Sequence, residues 1–370
     1  MRRFILVALI LVLLGACSHS QKSTDWKGTI KEVGGIIIIK NPKAPLYKKT
    51  NFKLEVDLKI GEAEGQEEYM FSHLSSIAVD DEGNIYSADD KEIAIKVFDK
   101  NGNFIRTISR EGRGPGEIGR SYHLQITAEN ELVVTDGRNR KILFFSLKGE
   151  HLRSKKLKTV FPLEFYTDSM KNYFVLNPVR TPTERWFEID RLDEDMNIVS
   201  TLIKYPMPLT PPEAYQPFLP FFSFKVMADG HLLYGDSKNY ELQIISPEGH
   251  ILKKISREYD LVPIKEADKE LIRRNVPKEQ KVEFPSHHAA FYGFFLDDAG
   301  RIYVKTWQEP TDDKVRYMCD VFDLEGKFTA QIPLNIDPQV WKDGKVYTIE
   351  EDEEGFHQIK RYKVIWDLYN

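Results

Sequence analysis

The sequence predicts an all-β fold, a six-bladed β-propeller closed by pairing of an N-terminal strand with the C-terminal blade. Three observations support this prediction. Turn residues recur at a fixed spacing between runs of alternating or β-branched apolar residues, a pattern typical of antiparallel hairpins. Helical patterns are nearly absent. One strand near the N-terminus lacks a hairpin partner, and the last repeat is one strand short. Repeats that cannot bury their faces alone are expected to stack into a closed ring.

Paired turns define the repeats. In three units the two turns lie 19 residues apart, at Gly83 and Gly102, Asn130 and Gly149, and Gly230 and Gly249. Two longer units turn near Asn172 and Asn197, and at Gly300 and Gly326. A sixth unit turns at Gly344 and stops after its third strand. These intervals indicate six four-stranded blades in one domain.

The missing strand of the sixth unit is predicted within residues 51–71. This segment parallels the fourth strand of the first unit, with Ile60 matching Ile108. Its pairing with the last three strands would close the ring and remove two sheet edges. The apolar run at 36–39 adds a further strand or packs beneath a blade, and the sequence leaves both open. The one helical pattern lies at 263–276.

The first residues resemble the leader of a bacterial lipoprotein. Arg2 and Arg3 precede an uncharged apolar run that is too short for a typical membrane span and ends in LLGAC. This ending resembles a lipobox, which implies cleavage before Cys17 and lipidation of that residue. Ser18 follows in place of an aspartate, which favours the outer membrane and leaves the periplasmic and external faces open. An ordinary signal peptide with an incidental cysteine is the alternative.

The leader divides the chain into a signal peptide (1–16), a lipid-anchored tether (17–34) and the propeller domain (35–370). The mature chain carries a formal charge of −7, because cleavage removes two of the 52 basic residues and none of the 57 acidic ones. No polybasic segment is present, so we expect no nucleic-acid partner and membrane contact through the lipid anchor alone. Cys319 then has no partner for an intramolecular disulfide. A monomer is expected.

Residues 77–118 carry a second resemblance. Their sequence, IAVDDEGNIYSADDKEIAIKVFDKNGNFIRTISREGRGPGEI, is similar to an NHL-type repeat. Together with the lipobox, six such units resemble the bacterial six-bladed propeller lipoproteins, most of which have no known function. The resemblance implies the architecture and the envelope location, and it implies no activity.

The glycines at 114, 116 and 119 have the G-x-G-x-x-G spacing of a dinucleotide-binding loop. Such a loop binds pyrophosphate because it opens a helix whose N-terminus faces the phosphates. The segment that follows here, SYHLQITAEN, alternates and ends in a hairpin turn, so it predicts a strand. We therefore expect a crossing between two blades and no nucleotide cofactor.

The connections before the inner strands provide the candidate ligand-binding residues. In a propeller these segments surround one mouth of the central channel, where side chains from all blades converge. The candidates for this funnel are His73, Arg120, Tyr122, His123, Glu164, Phe222, His287, His288, Tyr292 and Asp337. A shift of one residue in register would turn a side chain to the other face.

Two long connections, 204–222 and 257–288, are expected to form a collar beside this mouth. Loops of such length are commonly functional, and the first is rich in proline and aromatic residues. The aromatic side chains could stack on a ligand or pack the loops onto the propeller. The sequence therefore favours a binding module for an unknown protein, peptide or glycan, and no catalytic residues are identified.

The alternative is a metal-dependent lyase or hydrolase at the same funnel. His73, His123 and His288 are its candidate ligands, for zinc or calcium. The peptidyl-hydroxyglycine lyases and the propeller lactonases have similar folds and bind such metals. Their motif contexts are not found in this sequence, so no cofactor is the first expectation.

Overall fold

The computed structural model describes residues 26–156, 164–207, 214–310 and 315–369, and it shows an all-β six-bladed propeller. The described part of the chain opens with three strands, β1 (Thr29–Val33), β2 (Ile36–Asn41) and β3 (Lys49–Ile60). They belong to blades that are otherwise built from distant parts of the sequence. The single turn of 3-10 helix Glu67–Tyr69 then leads into the first blade.

The first three blades follow in sequence order. Blade one contains β4 (Leu74–Val79), β5 (Ile85–Asp89), β6 (Ala94–Phe98) and β7 (Phe104–Ile108). Blade two contains β8 (Ser121–Ile126), β9 (Glu131–Asp136), β10 (Lys141–Ser146) and β11 (His151–Lys156). Blade three contains β12 (Glu164–Thr167), β13 (Tyr173–Arg180), β14 (Arg185–Leu192) and β15 (Ile198–Met207).

The remaining blades complete the ring. Blade four contains β16 (Phe222–Val226), β17 (Leu232–Asp236), β18 (Glu241–Ile245) and β19 (Ile251–Arg257). The helix α1 (Glu266–Asn275) precedes blade five, which contains β20 (Gly293–Leu296), β21 (Ile302–Thr306), β22 (Tyr317–Phe322) and β23 (Phe328–Leu334). Blade six contains β24 (Pro338–Lys342), β25 (Lys345–Glu351) and β26 (His357–Tyr369).

The predicted closure is confirmed. Strand β3 pairs antiparallel with β26, from Lys49 opposite Tyr369 to Ile60 opposite Ile359, and it is the fourth strand of blade six. The inner strand β24 of blade six contacts β4 of blade one. Phe52 packs edge-on against Trp366 across the closing pair, with ring centroids 5.2 Å apart. The two ends of the chain are thus joined by backbone hydrogen bonds and by side-chain packing.

The placement of residues 36–39, which the sequence left open, is settled by β2. This strand lies on the outer edge of blade four, parallel to β19, with Ile37 opposite Lys253 and Asn41 opposite Arg257. Strand β1 pairs with β2 and extends the sheet to six strands. Residues 29–33, which lie within the segment 17–34 assigned to the tether, therefore belong to the sheet of blade four.

The turns adopt the conformations that their residues predict. Gly326 has φ +91°, and an added Cβ would lie 2.8 Å from Ile255 Cδ1 and 3.0 Å from Ile39 Cδ1. Asn130 occupies the same left-handed region with φ 59°, which asparagine tolerates better than most residues. The apolar faces of adjacent blades pack against each other and form the core.

The loop with the G-x-G-x-x-G spacing connects β7 to β8, as predicted, and no helix follows it. Its amides bind groups of the chain itself. Gly114 N–H donates to the Glu117 carboxylate at 2.9 Å, and Gly119 N–H donates to the Asp136 carboxylate at 2.9 Å. These carboxylates occupy the amides that a phosphate would need.

Candidate functional site

Two adjoining cavities form the central channel and its mouth. The channel cavity measures about 580 Å³ and is lined by inner-strand residues of blades two to six. The mouth cavity measures about 380 Å³ and lies among blades three, four, five and six. Both are lined by Glu164, Lys225, Phe295 and Pro338. Their combined size falls in the range of small-molecule sites.

The polar groups of the channel come from three adjacent inner strands. His123 lies on β8, Glu164 and Tyr166 on β12, and Lys225 on β16. Tyr166 Oη–H donates to Glu164 Oε2 at 2.6 Å, and Lys225 Nζ donates to Tyr166 Oη at 3.3 Å. The His123 ring packs edge-on against Tyr166 with centroids 5.6 Å apart. One tyrosine thus joins a carboxylate, an ammonium group and an imidazole.

Desolvation sets the protonation of these groups. Burial lowers the pKa of His123 to about 4, with a further contribution from the positive charge of Lys225. The imidazole is therefore neutral at pH 7. Burial also lowers the pKa of Lys225, although Glu164 acts in the opposite direction. Burial raises the pKa of Tyr166 well above its ordinary value, so its phenol remains protonated.

Lys225 differs from the other lysine of the mouth, Lys305. The ammonium group of Lys305 donates to Asp337 Oδ1 at 2.7 Å. Within the parts of the chain that the structure describes, Lys225 forms no ion pair and hydrogen bonds to Tyr166 alone. The mouth therefore contains a partly desolvated cation whose charge is not neutralised by direct contact.

Aromatic residues cover the wall of the mouth at blade four. Phe221 and Phe222 have ring centroids 4.7 Å apart, and Phe222 lies 4.8 Å from Tyr205. Tyr205 and Phe222 are buried, whereas Phe221 is 48% exposed. Tyr205 and Phe222 thus anchor the two described ends of the loop, and Phe221 is presented to solvent.

The two long connections contact each other beside the mouth. Tyr215 N–H donates to the Lys281 carbonyl at 2.7 Å, and Glu283 N–H donates to the Tyr215 carbonyl at 2.9 Å. This bridge joins the segment 214–222 to the connection 257–288, as expected for a collar. Residues 208–213 of the first loop lie outside the described residues.

His73 and Arg120 lie on another side of the ring, where both contact the carboxylate of Asp90. The sequence did not indicate Asp90 as a site residue. His73 Nδ1 is 2.7 Å from Asp90 Oδ1, and Arg120 donates from Nε and Nη2 to Asp90 Oδ2 at 2.9 and 2.6 Å. Burial acts to raise the pKa of Asp90, but its hydrogen bonds with Arg120 and His73 outweigh this and lower it. The ring of His73 also lies 5.0 Å from that of His357.

The remaining predicted residues are distributed over the collar side. Tyr292 lines the mouth, and Asp337 holds Lys305 and Arg316. His288 lines a third cavity next to the mouth. His287 bonds to Ser286 Oγ at 2.9 Å and lines neither the channel cavity, the mouth cavity nor this third cavity. Tyr122 lies in β8, but its side chain and the whole of Cys17 are outside what the structure describes.

The candidate metal ligands are not brought together. His73 is held by Asp90, His123 packs on Tyr166 inside the channel, and His288 stacks on a tryptophan beside the mouth. Among the described residues, no group of three or more His, Cys, Asp or Glu side chains could hold a metal ion. The described part of the chain also contains no helix long and apolar enough to cross a membrane.

Comparisons with known proteins support the architecture. Residues 31–211 match the family model DUF5128, described as a 6-bladed beta-propeller. A protein of Bacteroides fragilis NCTC 9343, named as an exported protein, superposes with a TM-score of 0.54 at 11% identity, over 89% of this chain and 99% of that one. A DUF4221 member from Bacteroides vulgatus ATCC 8482 gives a TM-score of 0.50 at 12% identity, over 85% and 98%.

A streptogramin B lyase gives a TM-score of 0.45 at 14% identity, over 85% of this chain and 98% of that one. No curated protein matches the sequence. Since 495 solved chains match the fold, the architecture is widely shared and does not by itself select a function.

Proposed function

We propose that this protein is a lipid-anchored propeller of the bacterial cell envelope that binds a ligand at the mouth of its channel. The leader and the lipobox ending at Cys17 support the anchor and the envelope location. The NHL-type pattern of residues 77–118 supports kinship with the six-bladed propeller lipoproteins. The part of the tether before β1 would connect the anchor to the outer edge of blade four.

Lys225, which lies at the junction of the two cavities and has no direct ion pair among the described residues, carries the proposal. An ammonium group that is partly desolvated and lacks a carboxylate partner gains most from an anionic ligand. The phenylalanines beside it provide apolar surface that small-molecule sites generally offer. We therefore infer a ligand that carries an acidic group together with an aromatic or apolar part. An acidic side chain or the carboxyl terminus of a peptide meets this description, and an acidic glycan meets its charged part.

The collar contributes in this proposal as one wall of the site. Phe221 and Phe222 belong to the loop 204–222 and line the mouth. The bridge between Tyr215 and the second connection holds that loop in place. Deletion of residues 207–219 is expected to abolish ligand or partner capture while the blades stay folded. Capture that persists in a folded deletion would contradict the role of the collar.

A matched pair of probes tests the charge requirement. Residues 18–370 contain every described strand and serve as the test protein. Binding of 4-phenylbutyrate and of its neutral amide is measured by isothermal titration calorimetry. The carboxylate is expected to bind about tenfold more tightly, equivalent to about 1.4 kcal/mol. Lys225→Met should remove this preference, because it keeps the side-chain stem and removes the charge.

Lys238→Met is the control, since Lys238 is an exposed lysine of the same blade. It should leave the preference for the carboxylate intact. Equal affinities of the carboxylate and the amide for the unmodified protein would refute the proposed anionic ligand. An unchanged preference in a folded Lys225→Met variant would move the site away from the channel.

No observation favours the alternative of a metal-dependent lyase or hydrolase at this mouth. Its candidate ligands His73, His123 and His288 have separate surroundings. The neutral imidazole of His123 could act as a general base, and no reaction is assigned to it. Chelation of bound metal and elemental analysis test the alternative.

A further inference from the structure

A third cavity lies beside the mouth, between α1 and blade five. It measures about 320 Å³, and we call it the side pocket. Its walls come from the collar segments near Phe218 and Pro263, from the first turn of α1, and from the end of β21 with the residues after it. Tyr292 lines both the side pocket and the mouth, so the two sites are neighbours.

Aromatic rings dominate the inner wall of the side pocket. The imidazole of His288 stacks on Trp307 with centroids 4.1 Å apart and an interplanar angle of 10°. Phe218 meets both rings edge-on, at 5.0 Å from His288 and 6.0 Å from Trp307. Tyr292 lies 4.9 Å from Trp307. Four rings from two collar segments and blade five are thus gathered around one cavity.

One carboxylate of the side pocket, that of Asp268, has no direct partner among the described residues. Lys265 forms an ion pair with Glu309, and Arg316 forms one with Asp337. Asp268, in the first turn of α1, has no hydrogen bond or ion pair with any residue that the structure describes. The four formal charges of the lining sum to zero, and Asp268 is the one that has no direct partner among the described residues.

His288 adds no positive charge to this balance. Its side chain is 8% exposed, and burial lowers its pKa although Asp268 acts in the opposite direction. Its Nδ1 and the Nε1 of Trp307 are buried without a hydrogen-bond partner among the described residues. Buried polar atoms are normally paired, so these unpaired nitrogens point to a site that rearranges when it is occupied.

Phe218 is the residue that such a rearrangement would involve. It has φ 62°, a left-handed conformation that is strained for a large side chain. It packs on the two rings that carry the unpaired nitrogens. Strain of this kind is often found at ligand-binding positions.

We propose that the side pocket binds an organic ammonium ion, with the cation between the aromatic rings and Asp268. The faces of tryptophan and tyrosine rings attract cations, and a nearby carboxylate without a partner adds to this attraction. The site is distinct from the proposed anion site at Lys225 and takes a ligand of opposite charge. Its assignment does not depend on the function proposed for the mouth.

Choline and its uncharged isostere 3,3-dimethylbutan-1-ol are the probes for this test. The protein is labelled with 5-fluorotryptophan, and its five tryptophans are followed by fluorine NMR. The Trp307 resonance is assigned with Trp307→Phe. Choline is expected to shift this resonance saturably and to leave that of Trp341, which lines the channel, in place. The alcohol should bind about tenfold more weakly.

Asp268→Asn should weaken choline binding about tenfold with little change in shape. Glu270→Gln is the matched control on the same helix, since Glu270 is exposed, pairs with Arg274 and does not line the pocket. Equal binding of choline and the alcohol, an unchanged affinity of Asp268→Asn, or no saturable shift at Trp307 would each overturn the proposal. Folding of the variants is checked by circular dichroism and melting.

Discussion

We predict that replacing His123 by glutamine removes part of the pH dependence of folding. In the folded protein this imidazole lies in the channel against Tyr166, where burial lowers its pKa from 6.5 to about 4. In the unfolded chain it returns to water and to its ordinary pKa. As the pH falls below 6.5, the unfolded chain therefore binds a proton that the folded protein excludes, and stability decreases.

The size of the effect follows from the two pKa values. Between pH 7 and pH 5, a group with a pKa of 6.5 when unfolded and about 4 when folded lowers the free energy of unfolding by about 2 kcal/mol. The loss approaches about 3 kcal/mol as the pH falls through 4 and then levels off. Glutamine does not titrate and contributes no such loss.

Urea unfolding at a series of pH values from 7 to 4.5 measures this contribution. The contribution of the carboxylates, which both proteins share, cancels in the difference in free energy of unfolding between the unmodified protein and His123→Gln. This difference should change by about 2 kcal/mol between pH 7 and 5. His250→Gln, in an exposed turn, is the control for loss of a histidine. A constant difference between the unmodified protein and His123→Gln would refute the buried, neutral state of His123.

Three further predictions concern stability and metal. Asp320→Asn leaves the buried guanidinium of Arg257 without its carboxylate, and urea unfolding should show a loss of about 3 kcal/mol or more; a loss below about 1 kcal/mol would contradict the buried pair. Gly326→Ala places a methyl group against Ile255 at φ +91° and should cost about 2 kcal/mol, whereas unchanged stability would show that the turn relaxes. Treatment with EDTA should leave the melting temperature unchanged and elemental analysis should find no stoichiometric metal, since the candidate ligands lie apart; one zinc or calcium per chain would restore the metal-dependent alternative.

The fold could be predicted because its turns depend on local chemistry. Each hairpin needs a residue that accepts a left-handed or tight conformation, and these residues recur at visible intervals. The placement of β2 could not be predicted in the same way. Its partner β19 lies more than 200 residues later in the chain and pairs in parallel, so no local turn records the contact. Strand pairing between distant segments leaves only a weak trace in a single sequence.

The site was predicted less completely, because its side chains depend on register and on contacts between blades. The sequence predicts His123 and Glu164 as funnel residues. It does not single out Lys225, which follows two phenylalanines on the short strand β16. Asp90 is the turn residue that follows β5, and its role becomes visible only in the fold, where Arg120 donates to its carboxylate. Asp268 can be recognised as a candidate ligand-binding residue only in the structure, where it lines the same pocket as Trp307. None of these contacts between distant residues can be predicted from their spacing along the chain.

The pairing of β3 with β26 has a consequence for the order in which the molecule can assemble. Most blades form from neighbouring hairpins and can acquire structure as soon as their own residues are available. The sixth blade cannot form in this way, because Ile60 pairs with a residue about 300 positions later in the chain. Contacts of such sequence separation form slowly. Until that last strand arrives, β3 has an open edge and the ring remains a curved stack. A chain delivered from its N-terminus would thus remain exposed to aggregation and proteolysis until its final strand is released.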